Sequence, residues 1–211
     1  AGEQAWAEEY MRAQRIDPAK LVIVAPTAQY AIKNYFALGD ALAEVAKLRD
    51  LTFVALGAPG EEELQRALLQ PLAGRYLDLC GKLTLRQSAA LIQRSRLVVA
   101  VDTSLAHFAC ALGIPNLVLV GGGHFGRFLP YSSTTAVLAA PLDCYGCNWQ
   151  CRFDCSVCLE SIPASATAKI IVRMVDEIKS SQTANSPRLF AVNPATALLP
   201  AQVAAGGADA I

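Results

Sequence analysis

Short apolar runs alternate with amphipathic stretches along most of the chain. "LVIVAP" (21–26) is a run of aliphatic residues halted by proline, and "LTFVALG" (51–57), "LVVAV" (97–101) and "LVLVG" (117–121) repeat the pattern. Runs of this kind, apolar without alternation, predict strands buried on both faces. "YLDLCG" (76–81) reads as a weaker, shorter strand. Between the runs, apolar positions recur at helical spacing and predict helices over 3–15, 35–48, 61–70, 84–95, 103–112 and 166–181. Local punctuation agrees. Three acids at 61–63 suit the positive end of a helix dipole, Thr84 is placed to cap the helix that follows it, and Gly113 stops the helix before it. The alternation predicts an α/β fold: a Rossmann-like, doubly wound parallel sheet covered by helices on both sides. One domain is expected over 1–181, including the Cys-rich loop 144–158. From 182 to 211 the composition shifts to Ala, Pro and Asn, with Arg188 and Asp209 its charged residues, and predicts a loosely ordered tail.

Composition narrows the function classes. The chain of 211 residues is 54% hydrophobic and 17% charged, with a formal net charge of zero and a pI near 6.9. It has no basic stripe, so no nucleic-acid partner is expected. Its apolar runs fall far short of the roughly 20 residues that span a bilayer. The start, "AGEQAWAEEYMRAQ", has neither the basic beginning nor the apolar core of a secretory signal. It also lacks an initiator Met, which predicts a piece of a longer chain. Five of the seven cysteines fall between 144 and 158. That clustering, without an export signal, points to a reducing compartment and a local role.

Candidate chemistry gathers at predicted strand ends. Ligands of doubly wound sheets bind outside the carboxyl ends of the strands. There, "VVAVDTSLAHFACALGIP" (98–115) stops a strand at Asp102, follows it with the hydroxyls of Thr103 and Ser104, and places His107 one turn later. The free first-turn amides of a helix, with its dipole, form an anion site. The plainer alternatives are that Asp102 or Thr103 caps the helix and that His107 is a core histidine.

The same residues carry a resemblance. "VVAVDTSLAHFACALGIPNLVLVG" is similar to the donor-domain motif of glycosyltransferase family 9, the lipopolysaccharide heptosyltransferase family. "PTAQYAIKNY" (26–35), "GAPGEEE" (57–63) and "LCGKLTLRQSAALIQRSRLVVAVD" (79–102) resemble further segments of that family in the same order, and the likeness runs over 20–178. It implies one half of a GT-B enzyme, the C-terminal nucleotide-sugar-binding domain. The donor would be a nucleotide diphosphate sugar, ADP-heptose or similar, and the acceptor a glycan or lipid-linked sugar. Lys33 would reach the diphosphate. Asp102, Thr103, Ser104, Leu105 and the nearby amides would hold the diphosphate and sugar, with His107 assisting. Glu61 would accept the ribose hydroxyls, and Leu83 or Thr84 would lie against the base. A solvated Lys33, a helix-start Glu61 and a core Leu83 are the alternatives. The catalytic base would come from an N-terminal domain, so this stretch alone would bind donor without turnover. No cofactor would be required. The implied location is cytoplasmic, or peripheral at the inner membrane face.

Two segments depart from the family pattern. "GGGHFGRFLPYS" (121–132) replaces the usual Gly-Pro-Thr, and its Gly122 and Gly123 would let the backbone approach a ligand. "CYGCNWQCRFDCSVCLESI" (144–162) spaces its cysteines C-x2-C-x3-C-x3-C-x2-C. Cys144, Cys147, Cys151 and Cys158 could hold zinc or iron. Local disulfides or packed thiols fit the same spacing. Two rival functions follow: a metal-binding interaction module built on this loop, and half of a sugar-nucleotide epimerase.

Overall fold

In the computed structural model, which describes residues 2–129, 132–179 and 187–193, the five apolar runs become strands. These are β1 (Leu21–Ala25), β2 (Thr52–Ala55), β3 (Tyr76–Asp78), β4 (Leu97–Val101) and β5 (Asn116–Leu119). Two more strands, β6 (Thr135–Ala139) and β7 (Arg188–Ala191), have no counterpart in the sequence expectations. All seven lie parallel in one sheet in the order β3-β2-β1-β4-β5-β6-β7. The order reverses between β1 and β4, which makes that junction the switch point where doubly wound sheets hold ligands.

Seven helices accompany the sheet among the described residues: α1 (Gly2–Ala13), α2 (Leu38–Leu48), α3 (Glu62–Leu68), α4 (Leu85–Arg94), α5 (Ser104–Ala111), α6 (Val157–Glu160) and α7 (Ala164–Lys179). Successive strand side chains feed opposite faces. Val22, Val24, Val99 and Leu117 pack with Leu42 of α2 and Ile171 and Met174 of α7. Leu21, Ile23, Val98 and Val118 pack on the other face with Ala7 and Met11 of α1, Leu91 of α4 and Ala106 and Ala109 of α5. Every residue of β1, β4, β5 and β6 is buried, as expected of a parallel sheet covered on both sides.

Helix ends differ from expectation for local reasons. α1 stops before Arg15, which takes a left-handed φ of 56°. α3 is shorter than 61–70 because Pro71 enforces a separate tight turn over Gln70–Leu72. α2 begins at Leu38 instead of 35, because Tyr35 turns inward and is 1% exposed. Its hydroxyl donates to the Ile162 carbonyl at 2.9 Å and lies 3.0 Å from Thr167 Oγ1. The segment after β1 is thereby pinned to the start of α7. The expected loose tail needs correction at one place: Arg188–Ala191 extends the sheet beside β6. The other tail residues, 182–186 and 194–211, lie outside the described residues.

Candidate functional site

The carboxyl ends of β1 and β4 bring three of the expected residues into contact. The Asp102 carboxylate, 7% exposed, accepts from Lys33 Nζ at 2.7 Å and lies 3.4 Å from His107 Nε2. Lys33 arrives from the single tight turn Ala31–Lys33 after β1, and His107 from one turn into α5. Burial pushes the Asp102 carboxyl pKa up, but hydrogen bonds from His107 and Lys33 and their charges outweigh it, and the value falls to about 2. Asp102 is therefore a permanent anion at neutral pH, and its immediate role here is to hold a cation in place rather than to cap the helix. Thr103 occupies the N-cap position of α5 without a side-chain cap bond, and Ser104 is exposed beside it. The Ala106 and His107 amides donate to the Thr103 carbonyl at 3.1 and 3.3 Å, which leaves the earlier amides of the α5 first turn without an intrahelical acceptor beside the same rim.

Two adjoining clefts meet at Thr103 and Ser104. One, of about 240 Å³, is lined by Lys33, Asp102, His107 and Tyr30 along with those two residues. The other, of about 320 Å³, is lined by Thr27, Gly57, Glu61, Leu83, Thr84, Ser88 and Leu105 as well. The polar cleft and the more apolar one thus share a ridge. The second volume falls at the lower end of the range for small-molecule sites. Glu61 accepts from the Thr27 hydroxyl at 2.8 Å and from the Ala58 amide at 3.2 Å, which fixes its carboxylate toward the cleft. Leu83 is half-buried at the wall. Thr84 is a cleft residue whose hydroxyl is already engaged: it forms a capping box with Gln87 at the start of α4.

Gly122 and Gly123 behave differently from the expectation of close ligand approach. They are buried in a tight turn, and the space above them is filled by protein. A Cβ at Gly122 would stand 2.5 Å from the Tyr145 ring, and one at Gly123 2.2 Å from the Trp149 ring. The glycines admit aromatic rings from the Cys-rich segment, not a ligand. The Trp149 ring in turn lies 4.8 Å from Lys33 Nζ.

The expected metal set does not assemble. All seven cysteines are free thiols. Among the described residues no group of three or more His, Cys, Asp or Glu side chains could hold a metal ion. Cys158 Sγ accepts from the Gly122 amide at 3.4 Å and Cys151 Sγ approaches the Cys155 carbonyl at 3.5 Å. Burial pushes the thiols of Cys144, Cys155 and Cys158 up, away from the thiolate form that ligates metals. Cys147 is half-exposed in the same loop. The sulfurs of Cys158 and Cys151 thus meet backbone partners, and the four expected ligands form no ready-made metal cluster among the described residues.

Sequence reasoning missed Thr27, Tyr30 and Trp149. Thr27 carried a usable signal, a hydroxyl directly after the proline that closes β1. Trp149 carried none, since it reaches Lys33 through the packing of a distant loop.

Comparison with known proteins agrees with this fold. The chain is 34% identical over 85 residues to lipopolysaccharide heptosyltransferase 1 of Escherichia coli K12, a stretch that is 40% of this chain and 26% of that protein. The structure of E. coli ADP-heptose lps heptosyltransferase II matches with a TM-score of 0.67 at 18% identity, covering 84% of this chain and 52% of the other. The E. coli heptosyltransferase WaaC, solved with ADP, matches with a TM-score of 0.58 at 23% identity, over 80% and 48% of the two chains. At such identities these structures speak for the fold, and the chain spans about half their length. The sequence pattern described as Glycosyltransferase family 9 (heptosyltransferase) matches residues 3–157, from α1 into the Cys-rich segment. With that match over most of its length, the chain belongs to glycosyltransferase family 9.

Proposed function

We propose that this chain is the donor-binding domain of a GT-B glycosyltransferase that moves a heptose-like sugar from a nucleotide diphosphate sugar to a glycan or lipopolysaccharide-type acceptor. The observation that carries it is the Lys33–Asp102–His107 cluster beside the start of α5, joined over the Thr103–Ser104 ridge to a cleft walled by Glu61 and Leu83. A nucleoside diphosphate fits that layout by its chemistry. Its pyrophosphate would sit at the first-turn amides of α5, its ribose hydroxyls would donate to Glu61, and its base would lie along Leu83.

As the glycosidic bond breaks, negative charge grows on the departing diphosphate. The Lys33 ammonium and the α5 amides stand where that charge would appear, and a fixed cation there lowers the barrier without reorganising. Asp102 keeps the ammonium aimed. The base that deprotonates the acceptor hydroxyl is assigned to a further domain, as the family resemblance implies, and the site of action to the cytoplasmic side of the membrane. No helix among the described residues is long and apolar enough to cross a membrane. The donor is ADP-linked by likeness to WaaC, which was solved with ADP.

Calorimetric titration tests this directly. The chain is expected to bind ADP, and pyrophosphate more weakly, without hydrolysing or transferring ADP-heptose on its own. No heat of binding at millimolar ADP would overturn the proposal.

A further inference from the structure

We propose that Trp149 is a positioning residue for Lys33, and that delivering its ring to the site is what the Cys-rich segment does. The proposal rests on the donor-binding reading of the cleft. The segment docks on the glycine turn after β5 through two backbone bonds: the Gly146 amide donates to the Gly122 carbonyl at 2.8 Å and the Asn148 amide to the Gly123 carbonyl at 3.1 Å. Tyr145 and Trp149 lie on the two glycines so closely that no β-carbon fits beneath either ring. His124 tightens the joint from below. Its Nε2 is 2.9 Å from Asn148 Oδ1, and its ring meets the indole edge-on at 5.5 Å. Asn148 and Trp149 both hold left-handed backbone, with φ of 50° and 64°. That conformation is uncommon for a bulky side chain and persists only where surrounding contacts impose it.

All of this converges on one contact, the indole face 4.8 Å from Lys33 Nζ. The ammonium therefore has two anchors of different kinds, the Asp102 carboxylate at 2.7 Å and a neutral aromatic face. A diphosphate must draw Lys33 partly away from Asp102. The carboxylate resists that movement and also repels the incoming phosphates. The ring does neither, because cation–π attraction is indifferent to which N–H points where and carries no net charge. It also closes one flank to water: the Lys33 side chain is only 14% exposed, which strengthens its field at the cleft. Without the ring, Lys33 would be held by Asp102 alone and would rest where Asp102 puts it.

The test combines ADP calorimetry with NMR of the ligand-free chain. Trp149→Leu is expected to weaken ADP binding about tenfold and Trp149→Phe, which keeps an aromatic face, no more than about threefold. In a Lys33→Met background, Trp149→Leu should cost nothing further, since the ring acts through the ammonium. In the free chain, the Lys33 ε-protons should be shifted upfield by the indole ring current, and Trp149→Leu should abolish that shift. Equal losses for the Phe and Leu variants, or an undiminished loss in the Lys33→Met background, would make Trp149 scaffold only and overturn the proposal. Absence of the ring-current shift in the unsubstituted chain overturns the contact itself. Failure of the unsubstituted chain to bind ADP, with the shift present, instead refutes the donor site on which the role depends.

Discussion

A single buried carboxylate sets the electrostatics of the site. Asp102 titrates near pH 2 in the folded chain and near 3.9 when unfolded. Its folded value is depressed, so its stabilising contribution is complete above about pH 4 and disappears as the pH falls toward about 2. The difference corresponds to roughly 2.5 kcal/mol. Asp102→Asn is therefore expected to remove that much stability at pH 7 but little at pH 2, and chemical unfolding at the two pH values checks it. Glu61 makes a different prediction. Since its carboxylate faces the apolar cleft and not the Lys33 cluster, Glu61→Gln should weaken ADP about tenfold, a loss of roughly one hydrogen bond to a charged group, and leave pyrophosphate affinity unchanged. Equal losses for both ligands would remove Glu61 from the ribose. Asp102 and His107 were legible because they follow directly from a strand end, which is where a parallel sheet exposes chemistry, whereas Lys33, eight residues past β1, was reached only through the family resemblance. Gly122 and Gly123 misled for an equally physical reason. Glycine reports that something comes close to the backbone, but it does not say whether a ligand or a tryptophan.

Among the elements, those with their own punctuation were readable and those held by neighbours were not. α4 announces itself through Thr84 and Gln87, which close a reciprocal cap. Thr84→Ala is expected to cost about 1 kcal/mol, seen as a lower Tm. β6 and β7 left no comparable trace. "TAVLA" is a run of small residues without a strong β signature, and "RLFA" is an edge strand whose four residues are alternately half-buried and exposed. Both form because a neighbouring strand offers a row of backbone partners, a cause that lies outside their own sequences. The Cys-rich segment is the extreme case, since it takes shape against the Gly121–Gly123 turn. Gly123→Ala would push a methyl group into the Trp149 ring. It is expected to lower stability by about 1–3 kcal/mol, readable as a fall in Tm, and to weaken ADP binding along with it.

For the molecule as a whole, β7 closes an otherwise naked sheet edge. It pairs in parallel with β6 over Ala136–Ala139, and Arg188 is ion-paired with Glu177 of α7. A chain ending at residue 186 would present the fully buried β6 as an unprotected edge. It is expected to melt about 5 °C lower and to associate as concentration rises, which thermal unfolding and size-exclusion chromatography would show. The fold class was legible across the whole domain, because strand–helix alternation and two-sided apolar runs leave one economical arrangement. The extent of the sheet was not, for want of any pattern in its last two strands.

The common polarity of the seven strands sorts every connection into one of two populations. Turns such as Ala73–Arg75 and Leu112–Pro115 lead into strands and lie on the far side from Lys33, whereas those leaving β1, β2 and β4 build the clefts. Natural drift or deliberate engineering can thus rewrite the first group, with a fluorophore, an affinity handle or an inserted peptide, while the two clefts stay intact. Any change in what the clefts accept must be sought in the second.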